Sequence, residues 1–197
     1  MKIAIIKYNA GNIFSVKCAL NRIGVDSIIT DKREEILCAD KVIFPGVGEA
    51  ASAMQYLREH KLDEVIKSVT KPLLGICIGQ QLLCSHSEEG DADCIGIFDA
   101  NVVKFNDADK NYKIPQMGWN TIRRTKENPL ITSNLDGKFV YYVHSYYVPI
   151  CADTIASTDY IVPFSAALRK DNFFATQFHP EKSGDIGEII LKNFIAI

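Results

Sequence analysis

A thiol, an imidazole and a carboxylate are enough for acyl transfer through a covalent intermediate, and this chain holds one of each in contexts that suit the work. Cys77 stands in "PLLGICIGQQLL", residues 72–83, at the end of an apolar run and between Gly75 and Gly79. A strand that runs into G-x-C-x-G and then into an amphipathic helix has the layout of a nucleophile elbow, whose glycines allow a tight turn that lifts the side chain off the strand end. The thiol then sits at a helix N-terminus, where the dipole and free backbone N–H groups favour thiolate, the reactive species. The N–H of Ile78, the next residue, is placed to bind a developing oxyanion. The competing reading is structural: two glycines let a helix pack close to a strand, and Cys77 is a small buried hydrophobe, as most cysteines are.

A base has to come from four histidines. His60, in "LREHKLDE", lies on a helix among charges, and His86 precedes the polar "SEEGDAD". His144 and His179 occupy apolar, strand-like contexts. Pro180 keeps His179 extended, and in extended backbone His179 and Glu181 project to one side. Glu181 can then accept a hydrogen bond from one ring nitrogen while the other faces the thiol, which completes a Cys-His-Glu triad. In "FPGVGEA", residues 44–50, a strand ends at Pro45 and Val47 lies between two glycines, which suits a second backbone donor to the oxyanion.

These residues need a frame. Short Ile- and Val-rich runs alternate with amphipathic stretches in the first half, the pattern of strand-helix-strand units around a mostly parallel sheet. "KIAIIKY", "DSIITD", "KVIFPG" and "PLLGIC" read as strands. Asn12 is expected to cap a helix with Ile13, Val16, Leu20 and Ile23 on one face and Gly24 as its stop. Residues 50–69 read as one helix with Met54, Leu57, Leu62, Val65 and Ile66 inward, and "GQQLLCSH" begins another. After residue 90 the texture is strand-rich and partly antiparallel: "CIGIF", "NVVKF", "NTIRR", "KFVYYVHSYYV", "TIASTDY", "FSAALRK", "NFFATQF", then a last helix "IGEIILKNFIAI". The expected fold is α/β: a single domain over residues 1–197 with one open, mixed, mostly parallel sheet flanked by helices.

Composition narrows the function. With 197 residues, 47% apolar, 23% charged and a net charge of −2, the chain fits one compact soluble domain with no electrostatic footprint for nucleic acid. No leader-like start or membrane-length apolar run is present, so a cytoplasmic location with six reduced cysteines is expected. A metal site is not: no C-x-x-C occurs, and Cys84-Ser85-His86 offers two ligands without a second pair.

With Cys77, His179 and Glu181 in place, the chain resembles the class I glutamine amidotransferases, and among them the glutaminase subunits of imidazole glycerol phosphate synthase. "NAGNIFSVKCAL", "FPGVGEA", "GICIGQQLL", "PQMGWN", "VHSYY" and "QFHPEKSGDIG" fall in that family's order along nearly the whole length. The resemblance implies glutamine as substrate, ammonia as product, a thioester on Cys77 and no cofactor. It gives Val47 and Ile78 as oxyanion donors. It places Gly48, Gln81, His144, Ser145 and Tyr146 around glutamine, and Met117 and Trp119 against a barrel-shaped cyclase subunit in a heterodimer of histidine biosynthesis. Ile78, Gln80, Cys84 and Ala175 depart from the family's commoner leucine, methionine, phenylalanine and glycine. They leave room for a relative serving a surface-sugar amidation synthase, and the bare triad also suits a cysteine amidohydrolase that needs no partner. Retention of all three triad residues argues against a non-catalytic binding module.

Overall fold

A computed structural model describes residues 1–197 except 10, 107, 109 and 110, so that Ala10 of "NAGN" lies outside the described residues. The first half runs β1 (Ile3–Ile6), α1 (Ile13–Arg22), β2 (Ile28–Thr30), α2 (Arg33–Leu37), β3 (Lys41–Gly46), α3 (Ala50–Glu59), α4 (Leu62–Lys67), β4 (Leu73–Cys77) and α5 (Ile78–Leu82). Then come β5 (His86–Ser87), β6 (Ala92–Asp93), β7 (Asn101–Lys104), β8 (Gln116–Thr121), β9 (Arg123–Arg124) and β10 (Phe139–His144). The chain closes with β11 (Tyr146–Tyr147), β12 (Thr154–Asp159), β13 (Pro163–Lys170), β14 (Phe173–Thr176) and α6 (Gly184–Ala196).

Eight strands form the main sheet in the order β2-β1-β3-β4-β14-β13-β12-β9. Pairing is parallel from β2 to β14 and antiparallel from β14 to β9. Both faces are covered, which explains why the parallel strands read as unbroken apolar runs. Along β1, Ile3 and Ile5 join a core with α1 and α6, whereas Ala4 and Ile6 join a second core with α2, α3, α4 and α5. The alternation of two per strand therefore fills two cores from one run of residues.

The expected mixed, mostly parallel sheet between helices is present, but it does not take in every strand. Among the described residues β8 pairs only with β10, and β11-β7-β5-β6 form a third small sheet. "KFVYYVHSYYV" is accordingly split at Ser145 between two sheets. The expected helix over 50–69 breaks in two at Lys61, whose φ of 55° ends the helical path. "CIGIF" is not a strand: its N–H groups from Ile95 to Phe98 bond the carbonyls of Leu82, Leu83 and Cys84, satisfying the open end of α5. Asn12 does not cap α1 with its side chain; it sits at φ 70°, ψ 4°, in the left-handed region that asparagine tolerates, and its amide is used elsewhere.

Candidate active site

The carboxyl ends of adjacent parallel strands converge on Cys77. Gly46 at the end of β3 is in register with Cys77 at the end of β4, and Thr176 at the end of β14 is in register with Ile76. β3 thus spans the whole of "KVIFPG" and runs one residue past Pro45. Val47 and Ile78 are the next residues on two hydrogen-bonded neighbours, and Gln177 to His179 continue from the third. Crevices at the carboxyl ends of such strands are where open α/β sheets place their ligands.

Cys77 itself makes the elbow, with φ 56° and ψ −109°. A non-glycine residue held there costs about 1–3 kcal/mol and persists only where surrounding structure enforces it. The flanking glycines play a different part from the one expected of them. A Cβ on Gly75 meets the Gly79 carbonyl oxygen and Leu83 Cδ1, each at 2.8 Å, and one on Gly79 overlaps the Phe44 carbonyl. They let α5 lie directly on β3 and β4, while the strained turn belongs to Cys77. The motif therefore combines close helix-on-strand packing at the glycines with a sharp turn at Cys77.

His179 is fully buried and extended at φ −98°, ψ 96°, as its proline neighbour requires. Its Nδ1 lies 2.7 Å from Glu181 Oε1, although the chain turns as a short 3-10 segment, Pro180–Lys182, instead of staying extended through Glu181. The same Oε1 accepts from Asn12 Nδ2 at 2.5 Å, a contact with no signal in the sequence beyond an asparagine placed beside Gly11. Ser183 ties the segment down: its Oγ donates to the His179 carbonyl at 2.6 Å and accepts from the Tyr141 N–H at 3.0 Å. His179 Nε2 is buried without a hydrogen-bond partner among the described residues. Burial pulls the imidazole pKa down, yet Cys77 and Glu181, by charge and by close polar contact, outweigh it and raise it to about 10.

Two of the other thiols, Cys84 and Cys94, are held in the neutral form. Cys84 is buried, and desolvation, helped by Cys94, Cys151 and Asp153, pushes its pKa far up. Burial raises that of Cys94 to about 12, Arg58 working against the shift and Asp93 with it. His86 faces Asp91 and Asp93 at 3.2 and 3.3 Å on the β5–β6 hairpin, and no cluster of three metal-binding side chains occurs among the described residues.

The residues expected around glutamine flank the elbow. Gly48 has φ 139°, which excludes other residues by backbone conformation and not by lack of space. Gln81 Nε2 donates to the Tyr146 carbonyl at 2.9 Å and to Gln177 Oε1 at 3.0 Å. His144 Nδ1 lies 2.8 Å from the same Tyr146 carbonyl and Nε2 3.1 Å from the Gln116 amide. Burial lowers the His144 pKa to about 4, the Tyr146 hydrogen bond resisting and His179 adding to the fall. His144 is thus a neutral buried strut. Tyr146 takes part through its carbonyl, and Ser145 accepts from the Phe105 N–H with its own.

Three further residues meet this region that sequence reasoning did not single out. Gln177 Nε2 is 3.8 Å from Cys77 Sγ. The Tyr8 hydroxyl is buried without a partner among the described residues, so close to Gly46 that a Cβ there overlaps it. Glu89 accepts from the Ala50 N–H at 2.9 Å, and burial raises its pKa. None carries a local motif; each is brought in by strand register or helix placement.

Met117 and Trp119 are exposed at 66% and 55%, so Trp119 is not a core residue. They share the outer face of the β8–β10 ribbon with their pairing partners Val143 and Tyr141 and with Phe139, itself exposed. The Val143 carbonyl lies 3.9 Å from Cys77 Sγ, which joins this apolar face to the thiol.

Residues 5–197 match the family described as Glutamine amidotransferase class-I. The chain is 56% identical over 195 residues to the imidazole glycerol phosphate synthase subunit HisH of Bacteroides thetaiotaomicron, covering 99% of both chains. It is 57% identical over 197 residues to the protein of the same name from Bacteroides fragilis, strain YCH46, covering 100% of both. Among solved structures, a glutamine amidotransferase from Thermotoga maritima superposes with a TM-score of 0.67 at 17% identity, over 100% of this chain and 81% of that one. PurLQS from the same organism gives 0.72 at 15% identity, over 99% and 97%; both likenesses concern the fold. The chain belongs to the class-I glutamine amidotransferase family and, within it, to the group of imidazole glycerol phosphate synthase HisH subunits.

Proposed function

We propose that the whole chain is one glutaminase domain that hydrolyses glutamine and passes ammonia to a cyclase subunit of imidazole glycerol phosphate synthase in the cytoplasm, for histidine biosynthesis. The observation that carries the reading is the line from half-buried Asn12 through buried Glu181 and His179 to the strained Cys77. Cys77 attacks the side-chain amide carbon of glutamine. The C–N bond of the tetrahedral intermediate breaks as His179 Nε2 delivers a proton to the departing nitrogen, and the acyl group stays on sulfur as a thioester. His179 then takes a proton from water, whose oxygen attacks the thioester; glutamate leaves and the thiolate returns. Glu181 holds Nδ1 and balances the charge of the imidazolium. Val47 and Ile78 N–H groups, one on each of two in-register strand ends, stabilise the oxyanion in both halves. Gly48, Gln81, His144, Ser145 and Tyr146 shape the glutamine site.

The partner docks on the β8–β10 face. Met117, Trp119 and Phe139 expose an apolar surface next to the thiol, which favours a two-subunit enzyme over a self-sufficient hydrolase. Ile78, Gln80, Cys84 and Ala175 are all buried, so the departures alter packing and give no support to a different ammonia acceptor. The test is glutamate release by the chain alone and with a cyclase subunit plus its nucleotide substrate, for wild type and Trp119→Ala. Association and stimulation that Trp119→Ala weakens are expected; equal activity alone, with no association, overturns the partner reading.

A further inference from the structure

Gln177 lies just past the end of β14, fully buried, two residues before His179. Its amide stands between Cys77 Sγ, 3.8 Å from Nε2, and Gln81 Nε2, 3.0 Å from Oε1. An amide can turn over and exchange its oxygen and nitrogen, so its orientation has to be fixed by its partners. Here the chain of partners starts from a group that can only accept. The Tyr146 carbonyl takes a hydrogen bond from Gln81, which commits the Gln81 NH2 to that side. The second hydrogen of the same NH2 points at Gln177, which must answer with its oxygen. Its own NH2 is thereby turned toward the sulfur.

We propose that Gln177 is a catalytic residue, donating an N–H to the Cys77 thiolate, and that Gln81 is the positioning residue that prevents its amide from turning over. This rests on the nucleophilic role proposed for Cys77. The sulfur also faces the Val143 carbonyl at 3.9 Å, an acceptor that suits the S–H of the thiol and opposes the thiolate. The Gln177 N–H acts in the opposite sense, because a donor binds an anionic sulfur more strongly than a neutral one. His179 Nε2 has no completed hydrogen bond, so Gln177 supplies the donor to sulfur in this conformation, leaving the imidazole proton for the leaving nitrogen. The same bond aids the second half of the cycle, in which the thiolate is expelled from the thioester. The titratable groups around the sulfur are His179, with Glu181 behind it, Tyr8, and His144 beside His179. All of them remain in the variants below.

The experiment follows alkylation of the full chain by iodoacetamide from acid to alkaline pH, read on the Cys77 peptide by mass spectrometry. Gln177→Met keeps the volume and removes the donor. Its alkylation midpoint is expected to rise by about 0.5–1 pH unit, less than a short charge-assisted bond gives because the contact is long, with the alkaline plateau unchanged. Gln177→Glu, which can still accept from Gln81 but sets a carboxylate against the sulfur, should shift the midpoint further. Gln81→Met should shift it in the same direction without touching sulfur, and thermal unfolding reports whether each variant is folded. An unmoved midpoint in folded Gln177→Met and Gln177→Glu overturns the proposal, as does a lower plateau with the midpoint in place, which marks a packing role. Retained glutamine hydrolysis in Cys77→Ala is a separate result: it removes the nucleophile assignment on which the proposal stands.

Discussion

Replacing Glu181 by glutamine isolates the charge of the third triad member from its geometry. Glu181 Oε1 accepts from both His179 Nδ1 and Asn12 Nδ2, whereas Oε2 is buried without a partner among the described residues. A glutamine can keep its oxygen in the first position, so the imidazole stays aimed at Cys77 and the charge alone is lost. An imidazolium and a carboxylate about 4 Å apart attract by about 4 kcal/mol at an effective dielectric constant near 20. A neutral amide oxygen accepting the same N–H recovers about 1 kcal/mol. The remaining loss of about 3 kcal/mol falls on the second half of the cycle, in which the neutral His179 of the thioester takes a proton from water, and it predicts a kcat about 10²-fold lower with KM little changed. Glu181→Ala, which also strands two buried N–H donors, should lose about tenfold more. The assay is steady-state glutamate release in the presence of the synthase partner. A kcat for Glu181→Gln within about threefold of wild type, or a loss confined to KM, refutes the reasoning.

Asn12→Ala removes one of two donors on the Glu181 carboxylate and should lower kcat roughly tenfold, while Asn12→Asp, which sets carboxylate against carboxylate, should be worse; equal kcat in both is the contrary result. Tyr8→Phe deletes a buried hydroxyl without a partner among the described residues and should stabilise the fold by about 1 kcal/mol, a rise of about 2–4 °C in Tm; a fall in Tm contradicts this. His144, neutral in the fold with a pKa of about 4, binds fewer protons there than in the unfolded chain, whose histidine titrates near 6.5. Stability should therefore fall with pH from about 6.5 to 4, by about 3 kcal/mol in all. His144→Asn should flatten that decline in denaturant unfolding, and an undiminished decline contradicts the assignment.

The main strands and the His179–Glu181 pair were legible because their signals are local. Apolar runs buried on both faces mark β1, β3 and β4, and one proline dictates the backbone at His179. Asn12, Gln177 and Tyr8 were not, because their roles depend on register: Gly46 beside Cys77 and Ile76 beside Thr176 join segments far apart in sequence. "CIGIF" looked like a strand because its composition is that of one, but its N–H groups serve the end of α5. Gln80 illustrates a departure that only packing explains, since its amide donates to the Ser165 carbonyl at 3.1 Å in the core behind the elbow.

The most direct test of the central claim is to treat the chain with a glutamine analogue bearing an electrophile at the side-chain carbonyl and to locate the adduct by mass spectrometry, with and without excess glutamine. One adduct per chain on Cys77, suppressed by glutamine and absent from Cys77→Ala, is the result this account predicts. An adduct on Cys84 or Cys94, or Cys77 labelling that glutamine does not suppress, contradicts it.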